Sequence, residues 1–161
     1  MKRPPEEHIE DVFLYFGKAA YHAQCMEFEL VTMRLLDSLH KKEIGTQQDF
    51  CDRESVWEKK TLGHFIRYLK KGPVVPADFS AFLDDVLEKR NFLIHDFFIH
   101  YADKFTTEEG RDAMLTELRA IGQLLETGHK VFEDTTRVFA KDFGVTSETI
   151  AKEPEKLGVK K

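Results

Sequence analysis

The 161-residue sequence has few of the residues that would cross-link it or hold it in a membrane. Its two cysteines, Cys25 and Cys51, form no CxxC pair and are too few for a disulfide framework. No run approaches the roughly 18–20 apolar residues of a membrane-spanning helix, and the first residues lack the apolar core of a signal peptide. These absences predict a reducing compartment and no membrane partner, and we expect the protein in the cytoplasm.

Local motifs of several enzyme classes are also missing. The sequence has no glycine-rich phosphate loop, no nucleophile elbow and no zinc-ligand spacing. A single Glu-x-x-His pair of the helical type, Glu126 and His129, falls short of the two such pairs and two further glutamates of a di-iron bundle. We therefore predict no metal and no cofactor.

Basic residues are not in excess: the sequence has 24 Lys and Arg and 29 Asp and Glu, which gives a formal net charge of −5. A negative net charge opposes attraction of the whole surface to nucleic acid or to an anionic membrane. A polyanion would need a local basic patch. The best candidate is a stripe of basic side chains at helical spacing, whose positive charges could bind successive phosphates of a nucleic-acid backbone. Such stripes are also typical of solvated helix faces. Its members are Lys60, His64, Arg67 and Lys71.

What the sequence does contain is helical pattern and phenylalanine. Fourteen Phe among 42% apolar residues predict a core built largely from Phe, and 33% charged residues indicate a globular protein rich in surface helix. Helix start and stop signals delimit four segments. Capping boxes at Ser55 with Glu58 and at Thr106 with Glu109 predict the starts of the second and last helices, and Gly72-Pro73 predicts the end of the second. The predicted helices are residues 6–42, 56–72, 77–104 and 106–143.

Apolar stripes on the first and last helices predict how they pack. Their spacings alternate between four and three, which is typical of a helix packed lengthwise on a near-parallel partner. The members are Val12, Phe16, Ala19, Ala23, Met26, Leu30 and Met33, then Met114, Leu118, Ile121, Leu125, Gly128, Phe132, Thr135 and Phe139. Glycine is unfavourable inside a helix, so Gly128 on this stripe predicts a close helix contact.

The expected architecture is an all-α, antiparallel bundle of four main helices. It occupies residues 6–143 as one domain. Residues 1–5 are expected to be a flexible lead-in, and residues 144–161 a polar tail. No strand, repeat or second domain is predicted.

The third helix carries the most informative stretch of the sequence, Arg90-Asn91-Phe92-Leu93-Ile94-His95. It places a cation and an imidazole in one of the most apolar segments of the chain. Burial of a cation is costly, so such a group normally has a partner or a task. The same Arg-to-His spacings occur at Arg3–His8 and Arg34–His40, but only here is the arginine followed by a polar residue inside a helix with aromatic surroundings.

This stretch resembles the Arg-x4–6-His motif of the HEPN superfamily, whose members are all-helical bundles and usually dimers. Many are metal-independent ribonucleases of toxin–antitoxin, phage-defence and RNA-processing systems. The resemblance implies an HEPN-like fold, a homodimer, RNA as the target and an antitoxin protein as a further partner. Thr61-Leu62-Gly63, together with the later Arg-Asn and His-x-Phe-Phe, also resembles a set of small uncharacterised bacterial proteins, a resemblance that implies a fold and no activity. A toxin subgroup has a tyrosine two residues after the histidine; Phe97 stands there, so that role is not carried over.

The resemblance assigns chemistry to three residues. RNA cleavage without metal uses the ribose 2′-OH as nucleophile, so His95 would move the proton and Arg90 would hold the phosphate oxygens. Asn91 would orient one of them. On an ideal α-helix Arg90 and His95 lie about 140° apart. Their convergence therefore requires arginine reach, a distorted helix, or a site shared between subunits.

Two other functions stay open at this point. In the first, the protein is a non-enzymatic dimerisation or interaction domain, and His95 is a core or interface residue. Arg90 then pairs with Asp84, Asp85 or Glu88, or with a carboxylate on another helix such as Glu27. In the second, the bundle binds a metal or small ligand.

Overall fold

The computed structural model describes residues 5–71, 77–142 and 144, which are helical with turns between them and include no strand. The chain is therefore all-α, as predicted. No helix of the described ranges has the length and apolar character to cross a membrane. Most of the expected lead-in and tail lies outside these residues. The elements are α1 (Pro5–His40), α2 (Gln47–Glu58), α3 (Leu62–Lys70), α4 (Ala77–Asn91), a π turn (Phe92–Asp96), α5 (Phe97–His100) and α6 (Glu108–Asp142).

The predicted first and last helices are confirmed as α1 and α6. The Gly110 N–H donates to Thr107 Oγ1 at 3.1 Å, so Thr107 rather than Thr106 caps α6. Most of the predicted apolar stripe on each helix is its buried face. The buried members are Val12, Ala19, Ala23, Met26, Leu30 and Met33 on α1, and Met114, Leu118, Ile121, Leu125 and Phe132 on α6.

The segment between α1 and the end of α3 differs from the prediction of a loop followed by one helix. Helix α2 begins earlier, at Gln47, because Thr46 and Asp49 form a capping box: the Asp49 N–H donates to Thr46 Oγ1, and the Thr46 N–H donates to Asp49 Oδ2, both at 3.0 Å. Ser55, the predicted start, lies inside α2. The expected second helix is therefore two helices, α2 and α3, separated by a turn. Its predicted Gly-Pro stop at 72–73 lies outside the described residues.

The Cα positions group the chain into two compact units. One consists of Met1–Met26 with Lys70–His129, and the other of Glu27–Leu69 with Lys130–Lys161. Helices α1 and α6 each contribute to both units. The single domain over residues 6–143 stays a prediction.

In the first unit helices α1 and α6 run in the same direction. Near the start of both helices, His8 Nε2 lies 3.1 Å from Asp112 Oδ1. Seven residues further along each, the Arg119 guanidinium lies over the Tyr15 ring at 4.9 Å. Contacts that advance together along two helices indicate a parallel pair.

Gly128 of α6 makes the close contact that the sequence predicts. A Cβ built there would lie 2.6 Å from Met26 Sδ and 3.5 Å from Val86 Cγ2, and both side chains are fully buried. The space that Gly128 leaves is therefore used by α1 and α4.

Two alanine substitutions on α6 distinguish this contact from ordinary helix propensity. Gly122→Ala should stabilise the protein by up to about 1 kcal/mol, because its new Cβ would lie 4.0 Å from Ala19 Cβ while the helix gains from alanine. Gly128→Ala should instead destabilise it by about 1–2 kcal/mol, because Met26 must move within the core. Urea denaturation of both variants measures the difference. Equal stabilisation by both would contradict the close packing at Gly128.

In the second unit a half-buried arginine is held by aromatic rings and a carboxylate. The Arg34 guanidinium lies 4.5 Å from the centre of the Trp57 ring and 3.7 Å from that of Tyr68. Its Nη1 donates to Asp37 Oδ2 at 2.9 Å. The same oxygen accepts from Lys41 Nζ at 2.9 Å and from the Tyr68 hydroxyl at 2.7 Å. We call these five residues the Arg34 network.

Candidate functional site

The predicted motif lies where α4 passes into the π turn. The Phe97 N–H donates to the Phe92 carbonyl, a bond from residue i+5 to residue i. A π turn amounts to one residue inserted into an α-helix, and such turns are frequent at functional sites. The third predicted helix is therefore interrupted within the motif, and its helical register changes there.

The apolar composition of this segment accommodates the inserted residue. Leu93 and Phe97 are buried. Phe92 and Phe98 are half-buried beside them, and the Phe97 and Phe98 rings meet edge to face at 5.4 Å. Because apolar side chains occupy neighbouring positions on both sides of the stripe, the core stays filled when the helical register shifts by one.

The three predicted catalytic residues lie at and just after the end of α4. Arg90 is half-buried and its Nη1 donates to Asn91 Oδ1 at 3.1 Å. Asn91 and His95 are exposed, and His95 belongs to the π turn. The structure thus brings Arg90 and Asn91 into direct contact and presents the imidazole of His95 at the surface of the first unit.

A concavity of about 440 Å³ opens beside the motif. Of the predicted site residues it includes Asn91, but neither Arg90 nor His95. Its lining combines carboxylates, an ammonium, an amide, an imidazole and an aromatic ring. The lining residues are Glu88, Lys89, Asn91, Phe92, Asp96, His100 and Glu117.

The π turn explains why Asn91 and His100 line one concavity. Nine residues of an ideal α-helix turn through about 900°, which would place these two side chains on opposite faces. One inserted residue reduces that turn to about 800°, so they lie roughly 80° apart. The sequence pattern did not point to Asp96, His100 or Glu117. The available signal was the four-residue spacing from Asp96 to His100, which is too common to single out.

The charges of the concavity are mostly negative. Lys89 Nζ lies 4.0 Å from Glu88 Oε1 and 4.0 Å from Glu117 Oε1. The Tyr101 hydroxyl donates to Glu117 Oε2 at 2.6 Å. Burial, together with this hydrogen bond, raises the pKa of Tyr101 to about 12, so the phenol stays protonated at neutral pH. With three carboxylates, counting Asp96, against one ammonium, the concavity disfavours a phosphate group inside it.

No family model, curated protein or solved structure matches this chain. The interpretation of the site therefore depends on its own residues and geometry.

The predicted basic stripe is not one continuous helix face. Only His64 and Arg67 belong to α3, while Lys60 precedes that helix and Lys71 follows it. Lys60, Arg67 and Lys71 are exposed. The His64 ring is half-buried and lies 6.1 Å from that of Trp57. The stripe therefore contains three exposed cations and one histidine packed against an aromatic ring.

The sequence also raised the possibility of a metal ligand at His129 and of a reactive cysteine. His129 Nδ1 lies 3.1 Å from His22 Nδ1, a distance that fits a hydrogen bond between two imidazoles. Across residues 5–71, 77–142 and 144, no three His, Cys, Asp or Glu side chains are grouped to hold a metal ion. Cys25 is half-buried and Cys51 exposed, both as free thiols.

Proposed function

We propose that the protein is an RNA-directed module of the HEPN type, a metal-independent endoribonuclease that acts as a homodimer. In this proposal His95 moves the proton of the ribose 2′-OH, Arg90 holds the phosphate oxygens and Asn91 orients the guanidinium. An HEPN-like fold, a toxin–antitoxin or phage-defence setting and an antitoxin partner belong to the same proposal.

The π turn within the motif is the observation that carries this proposal. In an unbroken α-helix, Arg90 and His95 would lie about 140° apart. The π turn extends from Phe92 to Asp96, so part of its inserted residue lies between Arg90 and His95 and the angle between them falls below about 140°. The distortion therefore favours a common site for the guanidinium and the imidazole.

The contacts of the three residues support the same roles. The Asn91 side chain accepts a hydrogen bond from Arg90 at 3.1 Å, which is the contact that an orienting amide must make. An arginine fixed in this way loses less freedom when it binds a phosphate. The exposed imidazole of His95 is accessible to a ribose.

Apolar residues beside the motif support the homodimer. Ile94 is 41% exposed and Ile99 77% exposed, on either side of His95 along the chain. Large apolar side chains exposed next to a functional group favour a surface that a second copy covers. A site completed by the partner would also exclude water from the phosphate.

We expect Ile99→Asp to weaken the dimer, because a carboxylate at a covered apolar position must be desolvated. Analytical ultracentrifugation over a concentration series should give a Kd of the dimer at least about ten times higher than that of the wild type. Phe28→Asp, at an apolar residue of α1 that is 68% exposed, is the matched control. A wild type that is monomeric throughout would contradict the dimer.

The experiment that tests the function uses single-stranded RNA and the full chain in EDTA. We expect the wild type to cleave the RNA at an undiminished rate when the chelator is present, because no step assigned to these residues uses a metal. RNA that stays intact with wild-type protein, with or without added divalent metal, would contradict the proposal.

The exposed isoleucines also favour the second candidate function, a non-enzymatic interaction domain. In that case Ile94 and Ile99 bind a partner copy while Arg90 and Asn91 hold the end of α4. Dimerisation without any RNA cleavage, together with a loss of dimer in His95→Ala, would favour this function.

A further inference from the structure

The concavity beside the motif has the chemistry of a nucleobase site. Its volume of about 440 Å³ falls within the roughly 300–1,000 Å³ of small-molecule sites. Its carboxylates repel phosphate, but they accept hydrogen bonds from the N–H groups on the edge of a base. Single-stranded RNA is commonly recognised through such base edges and through stacking on aromatic rings, while the phosphate is bound elsewhere.

Two polar side chains that line the concavity, Asn91 and Asp96, offer complementary hydrogen bonds. The Asp96 carboxylate is exposed and takes part in no hydrogen bond or ion pair with the residues that the structure describes. The Asn91 Oδ1 is engaged by Arg90, which leaves the amide N–H groups of Asn91 as the donors it offers to a ligand. Asn91 and Asp96 are five residues apart across the π turn, so the inserted residue brings them toward one face.

An aromatic wall completes the site. The Phe92 and His100 rings both line the concavity, with their centres 5.6 Å apart and the planes at 72°. A base can lie on the face of one ring and meet the edge of the other, and base–aromatic stacking of this kind tolerates any base. Choice among bases must therefore come from the polar edge.

We propose that this concavity binds guanine, as the base-recognition subsite of the RNA site proposed above, on which this inference rests. Guanine has two adjacent donors, N1–H and N2–H, which fit the two oxygens of the Asp96 carboxylate. Its neighbouring O6 accepts from the Asn91 amide. The ribose is attached at N9, on the edge of the base opposite to these contacts, so the ribose and its phosphate extend away from Asp96 and out of the acidic lining.

The other three bases do not match this set of groups. Adenine has an acceptor nitrogen where guanine has N1–H, so a lone pair of the base would face the Asp96 carboxylate. Cytosine offers one exocyclic amine beside an acceptor, and uracil one N–H between two acceptors. A well-placed bidentate pair discriminates between bases by roughly 10- to 100-fold, so guanosine should bind more tightly than each of the others by about that factor.

The test measures binding of guanosine, adenosine, cytidine and uridine to the full chain in EDTA by NMR titration, following the Asn91 side-chain amide and the His100 ring. Asp96→Asn should reduce the guanosine preference at least about tenfold, because an amide cannot accept both donors. Asp103→Asn, an exposed carboxylate in the turn after α5, is the matched control and should leave the preference unchanged.

The outcomes separate this inference from the proposed function. Equal binding of the four nucleosides, no binding, or an unchanged preference in Asp96→Asn would overturn the guanine site even if the protein cleaves RNA. A guanosine preference that depends on Asp96, in a protein that cleaves no RNA, would uphold the site and contradict the ribonuclease. L-argininamide bound more tightly than guanosine would overturn the inference in favour of a basic side chain from a protein partner.

Discussion

Replacing His95 with alanine is expected to slow RNA cleavage by roughly 10²- to 10⁴-fold at neutral pH, the contribution of a positioned general acid or base. The imidazole has no neighbour of the same chemistry within the π turn, so water would have to take its place. The measurement is the single-turnover rate constant on a short single-stranded RNA in EDTA. Single-turnover conditions isolate cleavage from product release.

His40→Ala is the matched control, since His40 is an exposed histidine at the end of α1, outside the π turn. It should cleave RNA at the wild-type rate. Thermal denaturation of both variants should give melting temperatures close to that of the wild type, because both side chains are exposed. Cleavage by His95→Ala at the wild-type rate would remove His95 from the chemistry.

The second large effect is on stability: Asp37→Ala should lower the free energy of unfolding by about 3 kcal/mol. The Asp37 carboxylate accepts from Arg34, Lys41 and Tyr68, and hydrogen bonds to charged groups contribute roughly 1.5–3 kcal/mol each before partial exposure reduces them. Its removal also leaves the guanidinium of Arg34, with its side chain only 14% exposed, without its carboxylate. Urea denaturation measures the change.

The effect of this substitution should depend on pH. Burial raises the pKa of Asp37, but hydrogen bonds from Lys41 and Tyr68 and the charges of Lys41 and Arg34 outweigh it, so the pKa lies below its ordinary value. A carboxyl whose pKa is lowered by folding stabilises the protein fully above its unfolded-state pKa of about 4, and that stability is lost as the pH falls through the folded-state pKa. The difference between wild type and Asp37→Ala should be constant near neutral pH and shrink in acid.

Asp85→Ala provides the comparison for both measurements. Asp85 is an exposed carboxylate of α4, and exposed substitutions away from special features usually change stability by less than about 0.5 kcal/mol. An Asp37→Ala variant as stable as Asp85→Ala would contradict the Arg34 network. So would a difference that grows as the pH is lowered.

The sequence predicts the long helices well because their apolar residues recur over many turns. A face that continues from Val12 to Met33, or from Met114 to Phe132, fits no other regular structure. The region around α2 was predicted wrongly because two capping boxes compete there. Thr46 with Asp49 and Ser55 with Glu58 are both acceptable starts, and only the extra turns gained by the earlier start decide between them.

The candidate site was predictable in its residues and not in its geometry. Arg90, Asn91 and His95 follow from the motif. The π turn cannot be recognised from the sequence, because this segment supplies apolar side chains in either helical register, from Phe92, Leu93, Phe97 and Phe98. A helical wheel of the sequence therefore misplaces everything beyond the insertion. His100 was missed for this reason, since it reaches the concavity of Asn91 only after the register shift.

The ends of the cleaved RNA test the proposed chemistry most directly. If a ribose 2′-OH attacks the phosphate beside His95 and Arg90, mass spectrometry of the products formed in EDTA should find 2′,3′-cyclic phosphate and 5′-hydroxyl ends. RNA carrying 2′-O-methyl groups should stay intact. Products with 3′-hydroxyl and 5′-phosphate ends, or cleavage of the 2′-O-methyl RNA, would contradict the mechanism.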